Sequence, residues 1–169
     1  LLTFIAAFGF TKAVFNLITG YLHQHTTRIK VLLIGWLAAL PVPFLLMYAT
    51  DWWMVIAANI LLGVNQGLAW SSTVIMKVDL VGAKNRGLAM GINEFAGYIA
   101  VGSAGYLAST IAHQYGAGFY PFVPAIVFSV VGLLISWLFI RDTTHFISAE
   151  QQSGTQTYFS SLWKEVSYK

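Results

Sequence analysis

Two charged residues stand inside long apolar runs, Lys12 in the first and Glu94 in the fourth. An ionisable side chain in hydrocarbon costs about 2.5–3.5 kcal/mol on insertion scales, so it faces a cavity or a partner. Lys12 lies eight positions before Gly20, and Glu94 lies eight positions after Arg86. At about 1.5 Å per residue, both sit about 12 Å in from the same face. Equal depth and opposite sign allow an ion pair or a shared polar cavity. Asn16 lies one turn from Lys12, Asn93 adjoins Glu94, and Tyr98 follows one turn later. Asn65 and Gln66 sit in the third run, with Gln66 about 16 Å from its charged end. Two readings stay open for these residues. They line a substrate or ion pathway, or they are buried polar contacts that fix helix packing.

The elements that must hold them follow from composition. The chain has 169 residues, 57% hydrophobic and 9% charged, with mean hydropathy +0.70. Soluble domains carry about 25% charge, so a membrane protein is the first reading. A net charge of +3 does not indicate nucleic acid. Without cysteine there are no disulfides or thiolate metal sites. The start at Leu1, inside an apolar run, reads as a fragment.

Five spans are expected, an all-α transmembrane bundle over residues 1–142. They cover about 1–22, 31–49, 53–76, 87–112 and 122–140. Pro41 and Pro43 should kink the second span or end it early. Trp52 and Trp53 stand where an interfacial aromatic belt sits. The fourth span carries Gly87, Gly91, Gly97, Gly102 and Gly105, a small-residue face that lets neighbours approach. Polar loops are expected over 23–30 and 77–86. His23 and His25 read as solvated loop side chains. Residues 143–169 form a polar tail with a short amphipathic helix from Tyr158 to Val166, or a linker without one.

Every Lys and Arg except Lys12 falls on one side of this topology. That asymmetry supports five spans and makes the basic loops and the tail cytoplasmic in a cell membrane. Asp79 is the one carboxylate in either inter-span basic loop, and so the obvious partner for Arg28.

Hairpins of two spans joined by basic loops, in this order, resemble the amino-terminal half of a major facilitator superfamily transporter. The resemblance covers the family's second to sixth helices and the start of its central linker. Gly20-Tyr21-Leu22 matches the start of the family's second-to-third-helix loop, and Arg28 and Lys30 match its basic end. Gln24 stands where that loop has an aspartate, and Thr27 where it has a glycine. Gln66-Gly67 matches a pair in the fourth family helix, with Gly63 in place of the preceding arginine. The run GYIAVGSAGYL lacks the proline of the drug-antiporter fifth helix.

The resemblance implies secondary active transport of a small solute by alternating access, with a missing carboxy-terminal six-helix half as partner. Glu94 would be a proton- or cation-responsive carboxylate. Lys12 would pair with it or meet an anionic group of the solute, and Asn16, Asn65, Gln66, Asn93 and Tyr98 would supply hydrogen bonds. Gly20, Arg28, Lys30, Asp79 and Arg86 would form the cytoplasmic gate. The lipid bilayer is the other partner, and no cofactor is expected. A stand-alone five-span assembly subunit is the alternative. An enzyme is not expected, because no serine–histidine pair, metal cluster or paired carboxylates lie within the spans.

Overall fold

The computed structural model describes residues 2–144. Five helices cross it: α1 Thr3–His25, α2 Arg28–Met47, α3 Trp52–Gly82, α4 Lys84–Tyr115 and α5 Tyr120–Phe139. Each is long and apolar enough to span a membrane. The described residues contain no strand. In hydrocarbon a helix satisfies its own backbone donors and acceptors, so an apolar chain of this length folds this way.

The breaks are shorter than the sequence reading expects. Between α1 and α2 only Thr26 and Thr27 are extended, at φ −144 and −70. Between α3 and α4 helical geometry fails at Gly82, with φ 66 and ψ 178. That backbone region is open to glycine and closed to side chains. The expected loops over 23–30 and 77–86 are thus mostly helix. Lys, Asp, Asn and Arg do not break a helix, so the helices continue out of the hydrocarbon. At 31 residues, α3 is about 46 Å long against a core of about 30 Å. As expected, α2 is interrupted by proline: its first segment ends at Ala39 and a second begins with Pro41 in the first helical position.

α3 is the central helix, and small residues set its contacts. A Cβ at Gly63 would meet the Phe8 carbonyl of α1 at 2.8 Å, and one at Gly67 would collide with Phe15 Cβ. α2 approaches from another side, where a Cβ on Gly35 would meet the Ala69 nitrogen at 2.6 Å. The Trp70 ring lies against Gly97 of α4, and the Trp36 ring against Gly132 of α5. The small-residue face expected on α4 is not used in this way. Gly87, Gly91, Gly102 and Gly105 face open space, so close approach is carried by α3 and α2 instead.

Within α3 the turn Gln66–Trp70 is π-helical. The wider turn frees carbonyls from the helical ladder, and such turns cluster at functional sites. The buried Thr19 hydroxyl lies 2.7 Å from the Gly67 carbonyl and 2.7 Å from that of Phe15, and shares its proton between them.

The outer surface is apolar. Phe10, Leu17, Tyr106 and Phe139 are 75%, 79%, 78% and 76% exposed. Water would not tolerate so continuous an apolar surface on a monomer, whereas lipid matches it. Trp52 is exposed near the first turn of α3 and donates to the Thr3 hydroxyl at 3.3 Å. The amphipathic helix expected over Tyr158–Val166 lies outside the described residues.

Candidate functional site

A cavity of about 790 Å³ opens between α2, α3, α4 and α5. Its apolar wall includes Trp36, Trp70 and Phe128, and Asn65, Gln66, Thr73, Lys77 and Asn93 supply its polar groups. The π-turn places Gln66 and Trp70 on this wall.

Asn93 is the best-connected of these groups. It is buried, its Oδ1 accepts from Lys77 Nζ, and its Nδ2 donates to Glu94 Oε1 at 3.4 Å. A cation, an amide and a carboxylate thus form one line from α3 into α4. An amide between two charged groups joins them by hydrogen bonds without carrying charge itself. The sequence reading places Lys77 in a loop. The signal that could have found it is its helical spacing, eleven residues after Gln66.

The remaining intramembrane residues are spread over other contacts. Lys12 and Glu94 do not form the ion pair that their equal depth allows. Lys12 Nζ instead lies 5.9 Å from the centroid of the Phe8 ring, within cation–π range. Equal depth fixes height along the membrane normal but not the rotation of a helix, and α1 turns Lys12 elsewhere. Asn16 Oδ1 accepts from the Ser71 hydroxyl at 2.8 Å, tying α1 to α3. Asn65 Nδ2 donates to the Gly35 carbonyl at 2.9 Å, tying α3 to α2. Tyr98 is 74% exposed on the outer side of α4, away from the cavity wall.

The second cluster lies where α1, α2, α3 and α5 end together. Arg28 Nε lies 2.6 Å from Asp79 Oδ2, and Nη2 donates to Asp79 Oδ1 at 3.5 Å. The Nε contact is close but poorly aligned as a hydrogen bond, so its attraction is mainly charge on charge. The two side chains are only 8% and 12% exposed. This is the pairing that the sequence reading expects. The exit of α5 adds two contacts that it does not foresee. Asp142 Oδ1 accepts from the Arg28 backbone N–H at 3.1 Å, and the Thr143 hydroxyl donates to Asp79 Oδ2 at 3.0 Å.

Beside this cluster, His23 Nε2 lies 3.0 Å from the hydroxyl of the buried Ser72. His23 is half-buried at the end of α1 rather than solvated in a loop. Lys30 and Arg86 are exposed at the same end of the bundle. Gly20 is exposed, with open space where a side chain would stand.

The family model of the Major Facilitator Superfamily matches residues 2–169. Searches of curated proteins and of solved structures found no match.

Proposed function

The chain belongs to the Major Facilitator Superfamily, a family of multi-pass membrane transport proteins, and on that premise we propose that it works in secondary active transport of a small solute by alternating access. The observation that carries this reading is the polar line Lys77–Asn93–Glu94 at the edge of a cavity among membrane-spanning helices. Ionisable groups in hydrocarbon are costly and mark solute or ion paths. In this reading Glu94 takes up and releases a proton or cation, and Asn93 relays the change to Lys77. Lys77 then meets the solute or releases it. Gln66 and Asn65 complete the polar wall. Lys12, Asn16 and Tyr98 belong to the same pathway only where other parts of the transporter meet α1 and α4, among them a carboxy-terminal six-helix half.

The Arg28–Asp79 pair, flanked by Gly20, Lys30 and Arg86, serves as the gate on the basic side. By the positive-inside rule that side is cytoplasmic, and in this reading the membrane is the cell's plasma or inner membrane.

The test is flux into vesicles that carry the intact native protein, across a panel of small solutes and imposed proton gradients. Glu94→Gln is expected to remove gradient-driven uptake while leaving exchange. Lys77→Ala is expected to weaken both at least tenfold. Unchanged flux and pH dependence in both variants would show that the pathway lies elsewhere.

A further inference from the structure

We infer that His23 is a proton-sensitive positioning residue for the basic-side gate, an inference that rests on the gate reading of Arg28 and Asp79. The ring is the cytoplasmic-end link between α1 and α3. Its Nε2 meets the Ser72 hydroxyl at 3.0 Å, and its Nδ1 is buried with no partner among the described residues. The charged groups that face it come from three other elements: Arg28 of α2, Asp79 of α3 and Asp142 beyond α5. On its own helix, His25 is turned to the Tyr21 ring, centroids 4.5 Å apart.

A neutral imidazole has one N–H and one lone pair, so a single contact with a hydroxyl suits it. The charged ring has two N–H donors, and this seat offers a partner to one of them. The second donor has two ways out. It can leave the seat for water, which breaks the Ser72 contact. It can turn to Asp142 beyond α5, which already accepts from the Arg28 N–H, and so leave Ser72 and draw that carboxylate away from the start of α2. Both routes loosen the end of α1 from α3. Proton uptake at His23 therefore favours the loosened gate, and the clamped gate prevails at higher pH. The change falls in the range where imidazoles titrate.

Residues 1–169 contain no cysteine, so spin labels can be placed on Gln24→Cys and Leu80→Cys. Both sites are exposed, one at the end of α1 and one at the end of α3. Distances are read in the intact native protein in nanodiscs from about pH 8 to about pH 5. The expected result is a reversible shift to longer distances on acidification, absent in His23→Gln. Ser72→Ala keeps the titrating ring and removes its partner, so the transition should move to higher pH. A parent protein whose distances ignore pH, or a His23→Gln variant that keeps the parent's response, overturns the inference. Asp79→Asn reads the gate by itself: it should lengthen the distance at every pH. No lengthening there would refute the gate reading, whatever His23 does.

Discussion

The Asp142 carboxylate accepts a hydrogen bond from the backbone N–H of Arg28 at 3.1 Å, across 114 positions of sequence. Arg28 is the first residue of α2, and Thr27, in the capping position, makes no side-chain cap of its own. The exposed donors at a helix start need an acceptor, and the chain leaving α5 provides one. A carboxylate there also complements the positive end of the helix. Asp142→Ala should cost about 0.5–2 kcal/mol, the usual range for a lost cap. Asp142→Asn should retain most of that. Thermal unfolding of the intact protein in detergent reads both.

Breaking the Arg28–Asp79 pair from one side leaves a charge buried alone. Asp79→Asn or Arg28→Gln should each cost roughly 3–5 kcal/mol. The double variant should cost less than the sum, because no bare charge remains. A double-mutant cycle on unfolding midpoints measures the coupling, and additivity would mean that the two groups act separately.

Much of this was legible in advance. Long apolar runs marked five spans, the side preference of Lys and Arg supported that count, and the scarcity of carboxylates near Arg28 pointed to Asp79. Helix rotation was not legible. Lys12 and Glu94 were placed at equal depth, yet nothing in their spacing says which neighbour each faces. Nor could sequence tell which glycines meet a neighbour: Gly63 and Gly67 do, while the glycine-rich α4 uses Gly97 alone among its five. The Thr143–Asp79 contact joins residues 64 positions apart, beyond the reach of any local pattern.

Gly67 of α3 stands directly against α1. A side chain there meets Phe15 Cβ and the Phe15 backbone, which cannot swing aside. Gly67→Ala should destabilise by about 1–3 kcal/mol, the cost of overpacking. Gly102→Ala, where nothing stands nearby, should be close to neutral in the same unfolding assay.

The α3–α4 turn depends on Gly82 for another reason. Its φ of 66 and ψ of 178 cost a residue with a side chain of order 1–3 kcal/mol. Space is not the constraint, since no atom crowds the position. Gly82→Ala should therefore lower the unfolding midpoint, and no neighbouring truncation should rescue it.

Lys77 and Lys12 should differ in transport. Lys77 meets the cavity and Asn93, whereas Lys12 rests over Phe8. Lys77→Ala should weaken flux at least tenfold, and Lys12→Ala should weaken it less. Rates measured side by side in vesicles decide the order.

The π-turn in α3 amounts to one spare residue threaded into an otherwise regular rod. Were Gln66–Trp70 instead wound at the ordinary α pitch with no residue lost, the spare residue would add its own turn to the helix. Everything beyond it would then rotate by about 100°, one residue's share of an α-helical turn. Thr73 and Lys77 would leave the cavity wall, Ser72 would leave His23, and Asp79 would swing off Arg28. Loss of the wide turn at unchanged length would thus unset the cavity and the gate together, so the two are phased by the same turn.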